Sequence, residues 1–296
     1  MPALSPTTTL PDAPDMARTL RAHLPDFEAV NWLTETGSTN TDLMDKLREH
    51  HQHSDGTLYR PRLLGAHWQR TGRGRVGRTL VNQPGCMLMF SCAFALRIAP
   101  VHLPCLSLVA GLAACEILRH HASPEHASQL AVKWPNDLQF GDAKLAGLLV
   151  ESLRHRAAGP DAYGVVIGMG MNLRASQALT TQLQRPVADW SQAAGQTPLS
   201  QLAAEVALAW HTTLQQCAHD GFGVLQARFG AVDALHGRAV NVIDAGVVLH
   251  SGIARGVDDH SRLLIQQFSD DDPQTIAVSV GEVSVRAQTG MESPAS

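Results

Sequence analysis

The chain has 296 residues, 44% of them hydrophobic and 17% charged, with a formal net charge of −4. These values suit one large globular domain, with or without a small companion, and exclude a disordered chain. The negative balance argues against a general nucleic-acid binder.

Five cysteines, at 86, 92, 105, 115 and 217, form no CxxC pair and leave an odd count, as expected of reduced thiols in a cytosol. The first fifteen residues hold four prolines and three consecutive threonines, with no basic start and no apolar core, so no signal peptide is read there. A disordered tail over 1–15 and a short helix over 16–24 are expected. The longest apolar runs are interrupted too soon to span a bilayer.

After a short apolar stretch at 30–33, Ser38, Thr39 and Asn40 precede an amphipathic helix running to about His50. They are read as a helix cap, as neutral donors and acceptors aimed into a pocket, or as both. His50-His51-Gln52-His53 resembles a metal site on paper, but beside Ser-Asp-Gly it is read as a solvated loop.

Leu63 to Trp68 reads as a strand, followed by Gln69-Arg70-Thr71-Gly72-Arg73-Gly74-Arg75-Val76-Gly77-Arg78. Four guanidinium groups in nine residues repel one another unless anions sit among them, and arginine matches phosphate through two-pronged hydrogen bonds. Gly72-x-Gly74-x-x-Gly77 spells a dinucleotide fingerprint, and 72–79 nearly spells a P-loop. Both need a helix at once, whereas Asn82-Gln83-Pro84-Gly85 breaks the chain and Cys86–Ile98 reads as a buried strand. The loop joins two strands, so anion binding falls to side chains and bare N–H groups.

A long apolar helix is expected from about His102 to His121. Strand 131–134 enters the turn Pro135-Asn136-Asp137, and a hairpin with Lys144–Glu151 follows. Strand 163–172 is crowded with glycine, which marks close approach of a ligand or another backbone. Helices are read at 199–219 and 222–229. From Gly237, five short alternating runs separated by turns predict a small all-β module.

Taken together, GSTN (37–40), QRTGRGRVGR (69–78), KWPNDLQFGDAKLAGLLVE (133–151), GMGMN (168–172) and GEVSVR (281–286) resemble the bacterial biotin–protein ligases, the biotin–[acetyl-CoA-carboxylase] ligase family. The resemblance implies a mixed α/β catalytic domain of the class II synthetase type over 16–235 and an SH3-like β-barrel over 236–287, with a disordered tail at 288–296. It also implies a cytoplasmic enzyme that makes biotinyl-5′-AMP from biotin and ATP, with Mg²⁺ on the nucleotide, and passes biotin to a lysine of a biotin carboxyl carrier protein. Family members often dimerise; a membrane role is not implied.

Carried onto this chain, the resemblance assigns biotin to Ser38, Thr39, Asn40 and Gln69, with Arg73, Gly74, Arg75, Lys144 and Gly147 around it. Leu145, Leu148 and Leu149 are available as an apolar wall. ATP falls to Arg73, Arg75, Arg78, Asn136, Asp137, Lys144 and Asn172, and Mg²⁺ to Asn136 and Asp137. Lys144 and Arg75 are the expected catalytic pair, with Lys144 between the carboxylate and the α-phosphate. Arg286 is an expected contact from the C-terminal module. Two departures stand out: Thr79-Leu80-Val81 replaces the usual tryptophan after the loop, and too few residues precede Glu35 for the DNA-binding domain of bifunctional members, so operator binding is not expected. Rival readings are a lipoate or octanoate ligase or transferase of the same superfamily, and a non-catalytic biotin sensor. Replacing Arg75 with glycine is expected to let a bound acyl adenylate escape to bulk lysines; unchanged adenylate retention in a quench assay counts against that covering role.

Overall fold

The computed structural model describes residues 9–74, 77, 80–82, 84–244, 246–268, 274–279 and 284–287. The first part of the chain runs α1 (Ala13–His23), β1 (Ala29–Thr36), α2 (Thr39–His53), β2 (Arg62–Gln69), β3 (Met87–Arg97), α3 (Leu106–His121) and α4 (Pro124–Ala127). Next come β4 (Leu130–Lys133), β5 (Asp137–Phe140), β6 (Ala143–Arg154), β7 (Ala162–Asn172), α5 (Ser176–Leu183), α6 (Leu199–Asp220) and α7 (Gln226–Gly230). The last strands are β8 (Ala239–Asp244), β9 (Val247–Val257), β10 (Leu263–Gln267), β11 (Thr275–Val278) and β12 (Ser284–Ala287).

Seven strands form one mixed sheet in the order β1-β2-β3-β7-β6-β5-β4, with β1 and β2 parallel and the other neighbours antiparallel. The last five form a separate antiparallel sheet in the order β11-β10-β9-β8-β12. The mixed α/β class and the all-β C-terminal module expected from the sequence are therefore present.

Strands β3 and β7 are apolar almost throughout because helices cover both faces of the sheet. On one face, Leu43, Met44 and Leu47 of α2 pack with Ala93 and Val166. On the other, α3 and α6 close the main core, where Phe90 meets Trp210 at 5.3 Å between ring centroids. The segment Pro100–His121 is long and apolar enough to cross a membrane by length and composition, contrary to the sequence reading. In the fold most of its apolar side chains are buried in this core, including Leu108, Leu112 and Leu118, while Val101 is exposed.

Three local readings change. Residues 30–33, read only as a short apolar stretch, belong to edge strand β1, in which Val30 and Trp32 alternate with exposed neighbours. Helix α1 starts at Ala13, three residues early, because the Asp12 side chain accepts from Asp15 N at 2.8 Å and proline is tolerated in a first turn. His50, His51 and His53 form the last turn of α2, not a loop.

Glycine in β7 serves the approach of α2. A methyl group on Gly164 would lie 2.8 Å from a Leu47 methyl, and one on Gly168 would lie 2.2 Å from Asn40 Oδ1. Helix α2 thus rests directly on the strand backbone, with its N-terminus over the end of β7. The C-terminal module is tied to the end of β4 by Trp134 Nε1, which donates to Ser261 O at 3.0 Å, and to α7 by Gln226 Nε2, which donates to Val257 O at 2.9 Å.

At the far end of α2, the His51 and His155 rings stack at 4.0 Å and 3°. Burial, then the neighbouring His155 and His50 charges, push His51 down from 6.5 to about 4. The unfolded chain therefore takes up this proton at higher pH than the folded one. Stability from His51 is complete above pH 6.5 and is lost as the pH falls toward 4. Thermal melts should show a midpoint that drops across that window, with a shallower drop in His51→Phe. An identical slope in both proteins would rule the ring out as its source.

Candidate active site

One cavity of about 820 Å³ opens where β2 and β7 end and β6 begins. Ser38, Thr39 and Asn40 enter it from the start of α2, Gln69 from the end of β2, and Arg73 and Gly74 from the loop. Lys144 and Gly147 come from β6, Asn136 and Asp137 from the β4–β5 turn, and Asn172 from the end of β7. Every described residue that the sequence assigned to biotin or ATP lines this space. Arg75 and Arg78 lie outside the described residues.

One end is neutral, and its hydrogen bonds have a direction. Ser38 is the N-cap of α2, accepting from Thr41 N at 3.4 Å, so the capping and pocket readings hold together. Ser91, buried on β3, donates its only hydroxyl hydrogen to Asn40 Oδ1 at 2.6 Å. The Thr39 hydroxyl must therefore donate in the 2.7 Å contact with Ser91 Oγ, which leaves Thr39 Oγ1 with acceptor capacity. Thr39 N donates to Gln69 Oε1 at 2.9 Å, which turns the Gln69 amide so that its Nε2 donors remain for a ligand. Asn82 secures the same glutamine by donating to its carbonyl at 2.9 Å. The pocket end so formed offers both donors and acceptors without a formal charge. Beside it, Leu145, Leu148 and Leu149 form part of the wall.

The other end is cationic. Lys144 is ion-paired with Asp137, and a methyl on Gly147 would lie 3.0 Å from Lys144 Nζ, so glycine leaves room for the ammonium. Lys133, the last residue of β4, lines the cavity as well. Its pKa is lowered by burial first; Asp137 opposes that shift, while Lys144, Arg238 and Arg286 reinforce it. Asp137 is likewise more than a turn residue, since it is the carboxylate among these cations. The turn is locked to β6 by Asn136 Nδ2 donating to Leu148 O at 2.7 Å and Leu148 N donating to Asn136 O at 2.9 Å. The Trp134–Pro135 peptide in this turn is cis.

The two described arginines of the Gly/Arg loop each have partners outside it. Arg70 pairs with Glu35 at 2.7 Å on the surface, outside the cavity lining. Arg73 donates to Thr41 Oγ1 at 2.9 Å and lies 3.6 Å from Glu151. Leu80 and Val81, which stand where the resemblance leads one to expect a tryptophan, line the cavity as aliphatic surface.

Sequence reasoning missed three contributors. Ser91 was detectable as the lone hydroxyl in an apolar run. Glu151 was inside a recognised motif but carried no assigned role. Arg185 and its neighbours had no signal: the 186–188 segment reaches the cavity by pairing with Lys144, through Lys144 N to Pro186 O at 3.1 Å and Ala188 N to Lys144 O at 2.9 Å. Asn172 holds the same segment, donating to Ala188 O at 3.0 Å. Arg286 and Val285 of β12 also reach the wall. Among the described residues, no group of three or more His, Cys, Asp or Glu side chains is placed to hold a metal ion.

Comparison with known proteins agrees with this geometry. Residues 34–172 match the model of the biotin/lipoate A/B protein ligase family, and residues 235–286 match the biotin protein ligase C-terminal domain. The chain is 30% identical over 242 residues to the bifunctional ligase/repressor BirA of Escherichia coli K12, covering 82% of this chain and 70% of that one. It is also 30% identical over 265 residues to the biotin–[acetyl-CoA-carboxylase] ligase of Mycobacterium tuberculosis, covering 87% and 89%. In fold it is similar to the biotin protein ligase from Aquifex aeolicus in complex with biotin and ATP, with a TM-score of 0.65 and 23% identity over 88% of this chain and 100% of that one. A neutral pocket end and a cationic end in one cavity, carried by both matching segments, place the chain within the biotin/lipoate A/B protein ligase family, among its biotin protein ligases.

Proposed function

We infer that the chain is an ATP-dependent biotin–protein ligase acting through biotinyl-5′-AMP, and that its acceptor is a lysine of a biotin carboxyl carrier protein in the cytoplasm. The observation that carries this reading is the convergence of Gln69, Thr39 and Asn40 with Lys144, Arg73 and Asn172 on one cavity. A ureido ring has two N–H donors and one carbonyl. Thr39 Oγ1 is set to accept from the first kind of group, and Gln69 Nε2 to donate to the second. A dithiolane ring would leave these groups unpaired at about 1–3 kcal/mol each, which disfavours lipoate. Burial of the biotin tail along the leucine wall contributes roughly 0.8 kcal/mol per methylene.

In the first step a carboxylate oxygen of biotin attacks the α-phosphorus of ATP and pyrophosphate leaves. Two anions must meet, so positioned cations stabilise the developing charge. Lys144 serves this role, with Asp137 holding its ammonium in place until the substrates arrive. Arg73 is assigned to cover the acyl phosphate, and the family resemblance assigns Arg75 to the same phosphate and Arg78 to the outer phosphates. Asn136 and Asp137 are the residues that would contact Mg²⁺ carried by the triphosphate, and the ion would offset phosphate charge there. In the second step a neutral carrier lysine attacks the acyl carbon, AMP departs with the C–O bond pair, and the amine loses its proton. A sensor without turnover would not need an ammonium placed between carboxylate and phosphate.

Two measurements test this. Wild-type protein should exchange labelled pyrophosphate into ATP with biotin and not with lipoate, and Lys144→Ala should lose about 10²–10³-fold of that rate. Exchange driven by lipoate, or undiminished in the variant, refutes the assignment. Gly168→Ala should displace Asn40, cost about 1–3 kcal/mol of stability and raise the biotin KM more than the ATP KM. Equal effects on the two substrates would place Asn40 outside the biotin end.

A further inference from the structure

Glu151 sits at the junction of the neutral and cationic halves of the site. One carboxylate oxygen, Oε2, accepts from Asn40 Nδ2 at 3.0 Å, and the other, Oε1, lies 3.6 Å from Arg73 Nη2. The same Arg73 nitrogen donates to Thr41 Oγ1 at 2.9 Å, in the turn of α2 that carries Asn40. A single side chain on β6 thus joins the basic loop to the start of helix α2.

We propose that Glu151 is a positioning residue that couples the arginine loop to the biotin end, with one oxygen orienting the Asn40 amide and the other holding Arg73 over the cavity. This rests on the ligase reading of the site and deepens it.

Hydrogen-bond polarity decides the contact at Asn40 and charge the one at Arg73, whose 3.6 Å approach to Glu151 is an ion pair. Asn40 presents its Nδ2 to Glu151 because Ser91 has already committed a hydrogen to Asn40 Oδ1. Arg73 can only donate. Two donors therefore converge on one side chain, and only an ionised carboxylate has two acceptor oxygens for them. Glutamine has the same shape but one acceptor, so its own amide group must face either Asn40 Nδ2 or the Arg73 guanidinium, donor against donor. The charge matters as well. A guanidinium freed from Glu151 and drawn outward by solvent would leave Arg73 with Thr41 as its anchor on α2. The coupling makes chemical sense for an enzyme with a reactive acyl adenylate: occupation of the biotin end, sensed at Asn40, is transmitted to the residue that closes over the phosphate.

The experiment compares wild type with Glu151→Gln and with Thr41→Val, which removes the second Arg73 anchor and leaves Asn40 and the carboxylate in place. Hydrogen exchange is followed for peptides covering residues 69–74 in protein without substrate, and biotin-dependent pyrophosphate exchange is followed in parallel. Glu151→Gln should speed amide exchange in 69–74 at least threefold and raise the biotin KM at least fivefold, with kcat within twofold and an unchanged melting temperature. Thr41→Val should speed loop exchange without raising the biotin KM. Unaltered loop exchange in Glu151→Gln overturns the hold on Arg73, and an unaltered biotin KM overturns the orientation of Asn40. Wild-type protein without biotin-dependent exchange would overturn the ligase reading, while the hydrogen-exchange arm would still judge Glu151.

Discussion

The close seat of helix α2 on strand β7 is the constraint on which the site depends. Gly168 has no side chain, so Asn40 can lie against the strand backbone, where Ser91 from β3 and Glu151 from β6 reach it from either side. Three strands and one helix terminus are thereby referenced to a single amide. Buried polar groups in such a cluster are tolerable only when each has its partner, and a full set of partners holds each group in one orientation. The uncharged end of the cavity is therefore built before any ligand enters.

The cationic end obeys a different rule. Ammonium and guanidinium groups gathered at one cavity repel one another, and the fold answers by giving particular cations a carboxylate: Asp137 for Lys144 and Glu151 for Arg73. These are partly exposed pairs, strong enough to position a side chain and weak enough to yield to a doubly or triply charged phosphate. Lys133, deprived of water by burial, holds its proton less firmly than a surface lysine. A site arranged in this way attracts anions without being locked shut by its own charges.

The C-terminal module belongs to the same construction. Trp134 leaves β4 next to the Asn136–Asp137 turn and is anchored to Ser261, while Val285 and Arg286 extend the cavity wall. The turn that carries the Lys144 partner is thus held from both sheets. The 186–188 segment completes the enclosure from the opposite direction, pairing with the backbone of Lys144 itself.

Chemistry and order along the chain were legible in the residues. The Gly/Arg loop, the capping cluster at 38–40, the lysine of the β5–β6 hairpin and the glycine-rich strand all announced special roles, because charge density, cap chemistry and backbone freedom are local properties. The apolar runs of β3, β7 and α3 were equally plain, since a buried element carries its own composition. What the sequence could not tell was which side chain meets which. Ser91 and Asn40 are 51 positions apart and Glu151 and Asn40 are 111 apart, and only the order of strands brings them together. The glycines of β7 were read as sites of close approach by a ligand or another backbone; Gly164 and Gly168 admit helix α2, and Gly168 and Gly170 line the cavity. Residue types and spacing by themselves marked an anion-binding loop, a helix cap and buried strands, and it was the resemblance of those motifs to a known family that implied the reaction. The tertiary structure alone decided the direction of each hydrogen bond and the partner of each cation, because those depend on contacts across strands and not on neighbours in the chain.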